Sequence, residues 1–125
     1  MLLRVWDITF IVSDLARAVR FYEDVLGLQK KYEFSSYAGF DCGGVEIGLV
    51  PGPQNAPSPE SPYVDFLVDD LDASYHTLRE RGVAFVKEPE GTLWGARIAQ
   101  FTDPDGHILQ LVQIDWPAYL AACAS

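Results

Sequence analysis

The chain has 125 residues, 49% of them hydrophobic and 22% charged, the composition of one soluble globular domain with a real core. Its net charge of −9 and pI near 4.4 leave no basic stripe to replace phosphate counterions, which excludes nucleic acid and anionic membranes as partners. No apolar run approaches the roughly 18 residues that span a membrane, no signal-peptide pattern opens the chain, and Cys42 and Cys123 make no disulfide framework, so a cytoplasmic location is expected.

Residues 4–12 alternate as a strand, with Val5, Asp7, Thr9 and Ile11 on one face and Trp6, Ile8, Phe10 and Val12 on the other. The second face is wholly apolar and should meet a helix. Asp14 is the expected N-cap of that helix. Leu15, Ala18, Val19, Tyr22, Val25 and Leu26 recur at helical spacing, and Gly27 ends it. Strands follow near 29–35, 37–42 and 45–50, with Cys42-Gly43-Gly44 as a hairpin turn. Residues 51–62 hold Pro51, Pro53, Pro57, Pro59 and Pro62 and read as a linker.

The phrase Val12-Ser13-Asp14-Leu15-Ala16-Arg17-Ala18 then returns as Val68-Asp69-Asp70-Leu71-Asp72-Ala73-Ser74, an offset of 68 − 12 = 56 residues. Self-similarity at this scale marks one supersecondary unit used twice. A strand at 63–68, a helix capped by Asp70 and ended by Gly82, and strands near 84–88, 95–102 and 107–113 repeat the first order. Asp103-Pro104-Asp105-Gly106 is a tight turn, and Asp115 with Pro117 starts a C-terminal helix over 115–123. The fold class is α+β: two βαβββ modules, 4–50 and 63–113, within one domain of residues 1–125. Their curved mixed sheets are expected to form a cup.

Val12-Ser13-Asp14-Leu15, Phe21-Tyr22 and Leu26-Gly27-Leu28 resemble the first module of the vicinal oxygen chelate superfamily, which includes glyoxalase I, extradiol dioxygenases and bleomycin-resistance proteins. Trp94-Gly95, Phe101 through Asp103-Pro104-Asp105-Gly106, and Leu109-Gln110-Leu111 resemble the end of its second module. In metal-dependent members four His, Gln or Glu side chains on cup-facing strands hold the metal. The resemblance carries those positions onto Asp7, Gly48, Tyr63 and Gln110, with Glu46 sharing the face of Gly48. This set contains no histidine. The two histidines of the chain, His76 and His107, lie mid-helix and out of phase with Gln110.

The resemblance therefore implies the metal-free, bleomycin-resistance-like branch and no cofactor. The function expected is sequestration of an organic natural product, with a cationic one favoured by the acidic balance. The expected ligand-binding residues are Asp7, Glu46, Gly48, Tyr63, Asp65, Trp94 and Gln110, with no catalytic residue assigned. A homodimer is expected, as for family members of this length. The competing expectation is a lyase, isomerase or dioxygenase of the same superfamily. Its divalent metal would sit in an atypical site drawn from Asp7, Glu46 and Gln110. A third reading is a structural module whose cup is filled by its own side chains.

Overall fold

The computed structural model of the protein describes residues 1–53 and 63–124. Most of the expected linker, residues 54–62, and the side chain of Cys123 lie outside the described residues. The chain divides into two compact units, Met1–Ala56 and Pro57–Ser125.

In module one, β1 (Asp7–Val12) leads into α1 (Leu15–Arg20), and β2 (Gln29–Glu33), β3 (Ala38–Cys42) and β4 (Val45–Pro51) follow. The sheet order is β1-β4-β3-β2, with β1 parallel to β4 and the remaining pairs antiparallel. A parallel pair needs a crossover, and α1 with its following strands supplies it. Phe10, Phe40, Ile47 and Leu49 share the face that meets Ala18 and Val19 of α1 and Tyr22 of the turn that follows it. Tyr22 is fully buried, and burying such a ring contributes about 2–3 kcal/mol.

The expected helix does not stay α-helical to Leu26. It widens to a π turn over Phe21–Val25, where the Leu26 amide reaches back five residues to the Phe21 carbonyl at 3.0 Å. The first strand also begins at Asp7 rather than residue 4.

Module two has β5 (Val64–Leu67), α2 (Leu71–Glu80), β6 (Phe85–Gly91), β7 (Ala96–Thr102) and β8 (Ile108–Ile114), with order β5-β8-β7-β6. Leu71, Tyr75 and Leu78 of α2 are buried. Tyr75 stacks edge-on against Phe85 at 4.6 Å, and Phe85 against Phe101 at 5.2 Å. Gln113 of β8 accepts from the Leu71 amide at 2.8 Å, tying the first turn of α2 to its sheet. The helix α3 (Trp116–Ala124) closes the chain, its start capped by Asp115, which accepts from the Ala118 amide at 3.2 Å.

The repeated phrase is a repeated cap. Asp14 accepts from the Arg17 amide and Asp70 from the Ala73 amide, both at 3.0 Å and both from extended backbone, φ −139° and −134°. Gly27 and Gly82 end the two helical segments at φ +74° and +92°, where a Cβ would be strained.

Candidate functional site

Each sheet has one face on its helix, and the opposite face carries the polar groups. In module one, β1 and β4 are paired Asp7 to Glu46 and Thr9 to Gly48, and β3 adds Asp41 opposite Glu46 and Gly39 opposite Gly48. Glu46 is 2% exposed. A carboxylate so deep needs partners, and it has three. Lys31 Nζ donates to Oε1 at 2.8 Å, Tyr32 Oη donates to Oε1 at 2.5 Å, and Tyr37 Oη donates to Oε2. Burial by itself would raise the Glu46 pKa. The bonds from Lys31, Tyr32 and Tyr37 outweigh that and bring it down to about 2. Burial first, and then the bond to Glu46, push the Tyr37 hydroxyl well above its usual range. For Tyr32 the bond to Glu46 comes first.

Two features let these groups meet. The β2–β3 register shifts between Lys30 and Tyr32, so a bulge at Lys31 turns two consecutive side chains to the same face. The glycines provide the floor. A Cβ on Gly39 would lie 2.5 Å from Tyr32 Cε1, and one on Gly48 would lie 2.5 Å from Tyr37 Oη and 2.9 Å from Thr9 Oγ1. Only glycine lets the two rings lie this close to the strands. Tyr37 Oη also stands 3.2 Å from Asp7 Oδ2, while Thr9 Oγ1 donates to Asp7 Oδ1 at 3.2 Å.

In module two the corresponding face carries a chain of amides. Gln100 Nε2 donates to Gln110 Oε1 at 2.6 Å, and Gln110 Nε2 donates to Asp65 Oδ1 at 2.9 Å. Gln110 is 3% exposed. Burial raises the Asp65 pKa, and the Gln110 bond opposes that.

The expected site residues are thus distributed unevenly. Asp7 and Glu46 share a cluster bridged by Tyr37. Gly48 enters as empty space, and both oxygens of Glu46 are already taken. Asp65 and Gln110 are hydrogen-bonded to each other. Tyr63 precedes β5 and is 49% exposed. Trp94 lies in the turn before β7, where its ring meets Tyr119 of α3 at 6.1 Å, so it belongs to that corner rather than to the amide row. Lys31, Tyr32, Tyr37 and Gln100 are absent from the expected set. The signal that could have found the tyrosines is Gly39 with Gly48, two bare positions in neighbouring strands, each needing something to fill it.

The metal positions carried over by resemblance were weighed against these side chains. Among the described residues, no group of three His, Cys, Asp or Glu side chains is placed to hold a metal ion. Gly48 offers no donor, and the Tyr37 hydroxyl stands over it. Both ends of the Gln110 amide are engaged. These residues do not fit a metal at those positions.

The sequence profile of the Glyoxalase/Bleomycin resistance protein/Dioxygenase superfamily matches residues 5–111. The chain is 32% identical over 110 residues to the metallothiol transferase FosB of Staphylococcus haemolyticus, covering 83% of this chain and 78% of that protein. It is 29% identical over 123 residues to the glutathione transferase FosA of Serratia marcescens, covering 93% and 84%. The crystal structure of the fosfomycin resistance protein FosX from Listeria monocytogenes superposes with a TM-score of 0.80 at 21% identity, covering 95% of this chain and 99% of that one, a likeness of fold. These relatives correct one expectation. They are metal-dependent enzymes, so the expectation of no cofactor, and with it the assignment to a metal-free branch, is withdrawn. Two findings therefore stand together: relatives that use a metal, and a donor set here that does not fit one at the family positions. By its matched residues and its two βαβββ modules, the chain belongs to the Glyoxalase/Bleomycin resistance protein/Dioxygenase superfamily.

Proposed function

We propose that the chain binds a small polar organic molecule carrying a cationic or N–H-donating group, with acceptors at Asp7 and Tyr37 on module one. The observation that supports this is where the buried polar groups lie. The buried polar or charged side chains among the described residues are Glu46, Asp103 and Gln110. Asp103 is spent inside its own turn, holding the amides of Asp105 and His107. Glu46 and Gln110, one per module, lie on the sheet faces turned away from the helices. Burying such groups is costly, and a sheet needing only a core would carry apolar residues there. The acidic balance of the chain favours a cation over an anion.

The test is an amide chemical-shift titration with benzylamine, and with benzoate as the probe of opposite charge. Shifts grouped around Asp7 and Tyr37 with benzylamine alone are expected. Silence toward both probes, or a response to benzoate only, sinks the reading. Light scattering on the same sample checks the homodimer that accompanies it.

The similarity to FosB and FosA favours a second reading, transfer of a thiol to a small electrophile. Turnover of glutathione with 1-chloro-2,4-dinitrobenzene, measured with and without an added divalent metal, separates the two. Turnover well above the uncatalysed rate selects the transferase, and binding without turnover selects the binding protein.

A further inference from the structure

The polar groups of module one do different jobs, and proton counting separates them. Tyr37 Oη carries a single proton and has two carboxylates beside it. The closer acceptor is Glu46 Oε2 and the farther is Asp7 Oδ2 at 3.2 Å, so one proton serves two carboxylates and Asp7 holds the weaker share. Asp7 Oδ2 keeps acceptor capacity that this long, shared bond leaves unused. Asp7 is partly exposed and takes its other bond from Thr9. Two oxygens converge there, and a donor from outside completes them. Glu46, by contrast, is sealed beneath the tyrosines with both oxygens used.

Resting on the small-molecule reading above, we infer that Tyr37 Oη and Asp7 Oδ2 together receive one N–H donor of the ligand. Glu46 acts as a positioning residue through Tyr37, and Gly48 decides specificity by leaving the room that the Tyr37 hydroxyl occupies. The class of ligand group is a primary or secondary ammonium, which can direct separate protons at both oxygens. A quaternary ammonium has no proton to give and should be refused. Gly48 is constrained because a Cβ there would stand 2.5 Å from Tyr37 Oη and 3.0 Å from Tyr37 Cε1, moving the acceptor away. Tyr32 and Lys31 bond the other oxygen of Glu46, which keeps the carboxylate in place beside the Tyr37 hydroxyl.

The experiment titrates benzylamine and benzyltrimethylammonium into the wild type and the variants Tyr37→Phe, Gly48→Ala and Glu46→Gln, with the absorbance of ionising tyrosines followed against pH in each. Benzylamine should bind the wild type and benzyltrimethylammonium should not. Tyr37→Phe keeps the ring and should weaken benzylamine about tenfold. Glu46→Gln should weaken it as well and let phenol ionisation fall back toward its ordinary pH, a signature that loss of packing alone does not produce. Asp14→Ala, a helix cap away from the cluster, should alter neither measurement. If benzylamine binds wild type and Tyr37→Phe equally, or if benzyltrimethylammonium binds as well as benzylamine, the inference falls and the small-molecule reading survives. If Glu46→Gln leaves the phenol titration where it was, the positioning role is lost. If the wild type binds no amine at all, both readings fall.

Discussion

In module one the row Thr9, Gly48 and Gly39 crosses three strands, and in module two the row Asp65, Gln110 and Gln100 crosses three strands in the same register. One row has been stripped of side chains and roofed by Tyr32 and Tyr37, which gather on a buried carboxylate from outside the row. The other builds its polar surface from its own members, as Gln100 gives to Gln110 and Gln110 to Asp65. The same backbone plan thus supports a charged, bulge-dependent cluster in one copy and a largely neutral amide chain in the other. The lesson is that an internal repeat conserves caps and register more tightly than it conserves what stands on the strands.

Five sets of variants break or sharpen this comparison. The largest effect is expected for Glu46→Ala, which leaves two phenols and a lysine without their acceptor. A loss of about 3 kcal/mol in urea unfolding is expected, held to the low end for a buried pair because Lys31 is partly in water. Because Glu46 titrates lower in the fold than unfolded, its contribution is present above about pH 4.5 and fades as pH falls toward about 2. Asp65 has the opposite sign. Its raised pKa makes it a stabilising influence only where it is protonated, so acid should cost module one more than module two. Glu46→Gln should flatten the acid limb of the stability curve, and an unchanged limb would remove the cluster as its cause.

Gly48→Ala comes next, at about 2 kcal/mol from overpacking against Tyr37 and Thr9. Adding Tyr37→Ala should recover part of that loss, and strictly additive effects in the double-mutant cycle would show that the ring is not what Gly48 accommodates. In module two, Gln110→Leu should cost about 1.5 kcal/mol by stranding Gln100 and Asp65. An equal or larger loss than for Glu46→Ala would reverse the ranking of the two rows.

The caps should show where the modules agree. Asp14→Ala and Asp70→Ala should each cost about 1 kcal/mol by thermal unfolding, and a clear difference between them would break the equivalence of the repeats. A smaller asymmetry belongs to module two alone. His107 Nδ1 lies 2.8 Å from the fully buried Asp103 carboxylate, whose bond raises the His107 pKa. That contribution is full below about pH 6.5 and is lost as pH rises through the folded value. His107→Asn should remove this slope.

Much of the backbone could be read in advance because its signals are local. The Val-x-Asp-Leu phrases mark caps that form within four residues, and alternation in residues 7–12 tells which face meets α1. Glu46 was legible as a face-mate of Asp7 by strand parity. Lys31 and Tyr32 were not, because parity puts neighbours on opposite faces until a bulge intervenes, and no residue type in Gln29–Glu33 announces one. The π turn at Phe21–Val25 escaped for a similar reason, since its apolar spacing passes for an α-helix.

Composition, the repeat and the caps determined by themselves that this chain makes two βαβββ modules, because those features depend on neighbours in sequence. The tertiary structure decided which groups meet on the open faces. Tyr37 comes from nine residues before Glu46 and thirty after Asp7, and Gln110 from forty-five after Asp65. Such meetings depend on register, on a bulge and on the space left by two glycines, and each is settled only when the strands are laid side by side.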